Sequence, residues 1–294
     1  MGLNTKHQKG FTLLEVTIVI VIVSILLGFT VALIPKQQEL RRYKEADREM
    51  DKIIDTLIGF AQVNGRLPCP ASITSAGAEN FTLDPTNCAN HGGFVPVTTL
   101  GIEGRLNSAT LLLDPWHNPY RYYISSSDAN DDGDGDFTYV GQMQEIGLGD
   151  VWDISSDPDN PAVGTDNYID LDGQFIICDA ASTTVDICAG GANLVYGSPF
   201  GAKGPYAGAI VVLLSTGKNG NQTPDPTDNA DELENMGATV VGQYFLKNNS
   251  TVLGTRETTF VKRTTGFADN FDDIVKWISP STLFSKMIEA DQLP

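Results

Sequence analysis

From Phe11 to Ile34 the chain reads FTLLEVTIVIVIVSILLGFTVALI, with Glu15 as its one charged residue. A run this long and this apolar must hide its whole circumference, whereas a helix on a globular surface hides one face. It is long enough to cross about 30 Å of hydrocarbon at about 1.5 Å per residue. A carboxylate there costs roughly 2.5–3.5 kcal/mol near the centre of a membrane helix and less near its end. Glu15 is therefore a tolerated accident or a residue with a partner. Lys6 and Lys9 precede the run and place the N-terminus in the cytoplasm and the body outside it. Arg41, Arg42 and Lys44 follow it and pull the other way, but the leader usually dominates. A cleaved secretory signal would have a shorter apolar core before a small-residue site. Residues 30–36 read TVALIPK instead, which favours a retained helix.

The stretch Lys9-Gly10-Phe11-Thr12-Leu13-Leu14-Glu15-Val16 resembles the processing site of type IV prepilins and type II secretion pseudopilins. That resemblance implies a membrane peptidase that cuts after Gly10 and methylates the new amino terminus at Phe11. Residues 1–10 are then a leader and Glu15 is the fifth mature residue. Cutting creates a cationic amine at Phe11, one helical turn from Glu15 and within reach of the Glu15 of an adjoining subunit. In low dielectric an uncompensated charge is expensive, so pairing amine with carboxylate constrains subunit register. The competing reading is a single-span anchor carrying a stray acid.

Beyond Pro35, Leu40, Tyr43, Met50, Ile54, Leu57 and Ala61 recur at spacings of three, four or seven with charges between them. This predicts an amphipathic helix over 35–65, stopped at Asn64-Gly65. It continues the apolar helix of 11–34, with a bend at Pro35 or Gly28. From Arg66 to the end, short β-branched and aromatic runs lie between turn residues. They are Tyr120–Ile124, Phe137–Val140, Gln174–Cys178, Ala209–Leu214 and Val240–Leu246. No βαβ alternation or internal repeat appears. The fold class expected is α+β: a long N-terminal helix packed on an antiparallel sheet, with a β-rich head over 66–294. A short terminal helix is expected from Ser281 to Ala290, capped by Ser279-Pro280-Ser281. The resemblance implies the same architecture.

It extends into the head. Arg66–Ala71 (RLPCPA), Thr99-Leu100-Gly101 and Asp114–Tyr120 (DPWHNPY) are similar to elements of a pilin-like subgroup and of major pseudopilins. So are Leu214–Gly220 (LSTGKNG) with Asp231–Asn235 (DELEN), then Asp272–Val275 (DDIV) and the final Leu293-Pro294. The acidic stretch around 125–198 has no counterpart in that pattern.

The formal charge of −18 argues against binding nucleic acid, because no basic patch offsets repulsion from phosphates. Between Tyr122 and Ala202 there is neither Lys nor Arg, so that stretch repels itself unless cations or water screen it. The four cysteines fall as two close pairs, Cys69 with Cys88 and Cys178 with Cys188, without CxxC spacing. Export favours two local disulfides, each stabilising by roughly 3 kcal/mol; four buried free thiols are the alternative.

The sharpest candidate metal site is Asp128-Ala129-Asn130-Asp131-Asp132-Gly133-Asp134-Gly135-Asp136. Asp128, Asn130 and Asp132 stand where the first half of a calcium loop needs oxygen ligands. Gly133 permits the turn, Asp134 offers its carbonyl and Asp136 follows. Tyr139 then occupies the place of the bidentate Glu, so Glu145, Asp150 or water would have to substitute. The bland reading is a solvated Asp/Gly turn. A second calcium site is implied by resemblance to major pseudopilins, in the loop Ser215–Asn235 with Asp225, Asp228, Asn229, Asp231 and Glu232. The acidic run Asp150–Asp172 matches no ligand spacing and reads as solvated loop.

Catalysis has little support. After processing only His91 and His117 remain, His117 sits in a turn motif, and no nucleophile elbow, P-loop or zinc signature is present. The function expected is that of a structural, non-enzymatic subunit of a type IV pilus or secretion pseudopilus, minor because its head is bulky and acidic. The resemblance implies other pilin subunits, the prepilin peptidase and an inner-membrane assembly platform as partners. It also implies an inner-membrane precursor with its head in the periplasm, then a periplasmic pseudopilus or extracellular pilus. The alternative is a calcium-dependent adhesin head displayed on a pilin stem.

Overall fold

The computed structural model describes residues 10–82, 87–126, 135–144, 173–181, 188, 192–197, 208–218, 220, 230–237, 239–241, 244–246, 259–263 and 271–293. The side chains of 27–36, 239–241 and 244–245 lie outside that description. The chain divides into two compact units, Met1–Lys44 and Glu45–Pro294. Helix α1, Leu13–Asn64, contributes to both.

Over residues 13–26 of α1 the large apolar side chains are exposed all round, from Leu13 at 84% to Val16 and Val23 at 46%. No single face is spared, which is what a sequence without amphipathic period must give. Among the described residues no helix is both long and apolar enough to cross a membrane. The last third of the expected span, 27–34, lies outside the described side chains.

In the second unit α1 is amphipathic. Ala46, Met50, Ile53, Leu57 and Ala61 are buried at helical spacing. Ile53 takes the fully buried place expected of Ile54, which packs at the margin of the same cluster. The helix stops as expected. Gly65 has φ of 67°, a left-handed conformation suited to glycine, and its N–H donates to Ala61 O at 2.8 Å.

A four-stranded antiparallel sheet follows, in the order β1-β2-β5-β9, with β1 Gly92–Phe94, β2 Arg121–Ile124, β5 Val211–Ser215 and β9 Ile274–Ile278. Its two central strands are buried along their whole length, so both faces are covered. Tyr122, Ile124, Val211, Leu213 and Ile278 join Met50, Ile53, Leu57 and Ala61 of α1 in one cluster. After the short helices α2, Val97–Leu100, and α3, Ala230–Met236, helix α4, Pro280–Glu289, completes that cluster with Leu283, Phe284 and Met287. Ser279 caps α4 by accepting from Thr282 N–H, and Pro280 opens it, as the sequence indicates. On the other face Tyr123, Val212, Leu214 and Val275 pack with Ile177 and Phe260 of a second sheet and with Phe175 just before it. The pleat's period of two divides consecutive residues between the layers.

The second sheet departs from expectation. Its order is β4-β3-β8 (β3 Ile176–Cys178, β4 Leu194–Tyr196, β8 Thr259–Val261), and β3 pairs with β8 in parallel. The head is therefore mixed rather than wholly antiparallel. A parallel pair needs a long connection, and the chain between Cys178 and Thr259 supplies one. Strand Val240–Leu246 is instead a hairpin of β6 Thr239–Val241 and β7 Tyr244–Leu246. Phe137–Val140, expected as a strand, is a turn. Thr138 and Tyr139 N–H both donate to Gly135 O at 3.0 Å, so local bonds satisfy the backbone while Phe137 is still fully buried.

Candidate functional site

The N-terminal site is built from four residues. Gly10 and Phe11 are non-helical and α1 begins at Leu13. Phe11 is 81% exposed, and a Cβ placed on Gly10 would meet nothing within 4 Å. Among the described residues nothing crowds the bond expected to be cut. Thr12 caps the helix: Glu15 N–H donates to Thr12 Oγ1 at 3.2 Å and to Thr12 O at 3.0 Å, and Val16 N–H donates to Thr12 O at 3.2 Å. Thr12 and Glu15 have the S/T-x-x-E spacing of a capping box. The carboxylate therefore lies in the first turn, where the helix dipole favours a negative charge.

Two further polar side chains of this segment are satisfied internally. Thr17 Oγ1 donates to Leu14 O and Ser24 Oγ to Ile20 O, both at 2.7 Å. That bonding lets a hydroxyl lie in apolar surroundings at little cost. Glu15 differs, since among the described residues its carboxylate has no partner. It is the group in α1's first turns that calls for one from outside.

The family of the prokaryotic N-terminal methylation motif matches residues 5–31. This chain carries the prepilin-type signature of type IV pilins and pseudopilins. The signature spans the open Gly10–Phe11 bond, the Thr12 cap, Glu15 and the exposed apolar helix together. No curated protein and no solved structure matches the chain.

In the head, the short motifs singled out in the sequence are tied to one another by hydrogen bonds. Asp114 Oδ1 accepts from Trp116 and Asn118 N–H at 2.9 Å each, closing the DPWHN turn with His117 at φ of 74°. Its Oδ2 accepts from Ser215 Oγ at 2.7 Å, and Asn118 Nδ2 donates to Gly217 O at 2.6 Å. Burial raises the Asp114 carboxyl above the usual range against the opposing pull of these bonds. The LSTGKNG loop is fastened in turn to DDIV, with Lys218 N–H donating to Asp272 Oδ2 at 2.7 Å.

The helix α3, Ala230–Met236, carries DELEN. Asp231 accepts from Ala181 N–H at 2.6 Å and pairs with Arg263 at 2.5 Å. Glu232 accepts from Asp272 N–H at 2.9 Å. Asn235 bonds Val261 and Asp273. Arg121, buried at 1% exposure, donates to Met236 O at 3.3 Å. Burial, then Glu232 and Asp272, push the Asp273 carboxyl well above its ordinary range, with Asn235 and Arg121 opposing. Nothing in the alternation RYYI marks Arg121 as an interior cation.

The RLPCPA element is held by Glu79, which the sequence gives no reason to single out. Glu79 pairs with Arg66 through two contacts at 2.6 and 3.2 Å, accepts from Cys69 N–H at 2.9 Å, and its own N–H donates to Thr99 Oγ1 at 3.0 Å. The disulfides form as expected, Cys69 with Cys88 and Cys178 with Cys188, with Cα atoms 5.3 and 5.7 Å apart.

Of the expected calcium ligands, Asp128, Asn130, Asp132 and Asp134 lie outside the described residues, as do Asp225, Asp228 and Asn229. Asp136 is fully buried. Asp231 and Glu232 are engaged with Arg263 and backbone N–H groups as described. Among the described residues no group of three or more His, Cys, Asp or Glu is placed to hold a metal.

Proposed function

We propose that this protein is a structural subunit, and not an enzyme, of a type IV pilus or type II secretion pseudopilus. It enters the inner membrane as a prepilin with its head in the periplasm. It is cut after Gly10, methylated at Phe11, and assembled through α1. One observation carries this reading. The methylation motif falls on the part of the described chain that is apolar around a whole helix and carries one acid, Glu15, whose carboxylate has no partner among the described residues. A helix of that kind needs an apolar surround plus one cationic partner, and neighbouring subunits cut at Gly10 would supply both. The bulky, acidic head suits a minor position, because it would crowd a regular helical lattice.

Mass spectrometry of the native mature protein tests the processing. Phe11 carrying one methyl group as the first residue is expected, and Met1–Gly10 still attached would overturn the reading. Glu15→Ala tests the pairing. Processing should persist while incorporation into sheared filament fractions falls about tenfold or more, as expected when a charge loses its partner in low dielectric. Normal incorporation of that variant would sink the pairing argument.

A further inference from the structure

We infer that Thr12 is a positioning residue for leader removal: its hydroxyl stops α1 two residues short of the Gly10–Phe11 bond and so keeps that bond in open, non-helical chain. The inference rests on the reading that the leader is cut at this bond.

A residue whose side-chain oxygen accepts from the amide three positions ahead is an N-cap, and its own backbone is non-helical. Thr12 meets that description through the Glu15 amide. Without the hydroxyl, the apolar run carries no stop signal at this point. Phe11 can enter a helix, and the next strong interruption is Gly10 itself, one side of the bond to be cut. Helix starts would then spread over several positions instead of being held at Leu13.

The consequence for the reaction is a matter of population. A protease must reach both faces of the scissile peptide group, and Gly10 and Phe11 now offer that access. When only a fraction of molecules presents the cleavable form, apparent affinity falls by that fraction. The cap removes this loss by keeping the substrate in one conformation. Sequence spacing points the same way, because Thr12 and Glu15 stand at the N-cap and third helical positions, where an S/T-x-x-E pattern marks a helix start.

The test uses the full-length chain expressed with its leader peptidase, as wild type, Thr12→Val and Thr12→Ser. Valine keeps the shape and raises apolarity, so insertion of the helix is preserved, while serine keeps the hydroxyl. Conversion of precursor to mature protein is followed by pulse-chase, with the cut position read by mass. Thr12→Val is expected to slow conversion by up to about fivefold, and Thr12→Ser to return it to within about twofold of wild type. In the purified precursor in detergent micelles, exchange of the Glu15 amide should rise about fivefold in Thr12→Val alone. Conversion of Thr12→Val at the wild-type rate, or of Thr12→Ser as slowly as Thr12→Val, overturns the role of the hydroxyl. A wild-type chain that keeps Met1–Gly10 overturns the processing reading itself, which separates the two failures.

Discussion

Replacing Asn235 by alanine should cost this protein a large part of its stability, and the reason lies at the edge of the second sheet. Strand β8 is the last of three, paired to β3 on one side only. Because side-to-side bonding alternates along a strand, the N–H and C=O of Val261 turn away from β3. Asn235 meets both: its Oδ1 accepts from Val261 N–H at 2.7 Å and its Nδ2 donates to Val261 O at 2.9 Å. The side-chain amide thus stands in for the strand that is missing. It also donates to Asp273 Oδ2 at 3.0 Å.

Asn235 and Val261 are both fully buried, so water cannot easily replace these bonds. Each buried backbone group left unsatisfied costs about 1–3 kcal/mol, so Asn235→Ala should lose about 3–5 kcal/mol. Against a typical total of about 5–15 kcal/mol this is severe, and it corresponds to a fall in Tm of about 10 °C. The assay is urea unfolding of the full chain in detergent micelles, followed by tryptophan fluorescence. Asn235→Asp separates the parts, since it retains the acceptor for Val261 N–H but loses both donors and sets a second acid beside Asp273. It should be at least as damaging as alanine. A loss below about 1 kcal/mol for Asn235→Ala would refute the argument that the amide completes the sheet.

Three further outcomes follow from the same structure. Asp273 has a folded-state pKa above its unfolded one, so the folded chain holds its proton more tightly and stability falls as pH rises from about 4. Asp273→Asn should therefore be more stable than wild type at pH 7, with the difference vanishing below about pH 4 in urea titrations. Cys69→Ser/Cys88→Ser should lose about 3 kcal/mol by the same assay, and about 0.5 kcal/mol more than Cys178→Ser/Cys188→Ser, because its loop spans 19 residues against 10. Gly217 has φ of 58° and a Cβ there would overlap the backbone oxygen and carboxylate of Asp272, so Gly217→Ala should cost about 2–4 kcal/mol in thermal unfolding.

The strands that sequence placed well, Tyr120–Ile124 and Ala209–Leu214, are those buried on both faces, where an unbroken apolar run is itself the signal. Phe137–Val140 misled because aromatic burial and strand formation share the same residues, and only the Gly135 carbonyl decides for a turn. The parallel β3–β8 pair could not be read at all. Its register depends on residues far apart in the chain, which no local spacing reports.

The sequence by itself determined the long helix, its stop at Gly65, the terminal helix with its Ser279 cap, and the N-terminal prepilin signature. These depend on neighbours within one or two turns, so composition and spacing specify them. Tertiary structure alone decided that Arg121 is an interior cation, that Glu79 binds RLPCPA to Thr99, and that Asn235 completes a sheet edge. Those roles come from burial without water, which turns ordinary polar residues into obligatory partners and is set by the whole chain at once.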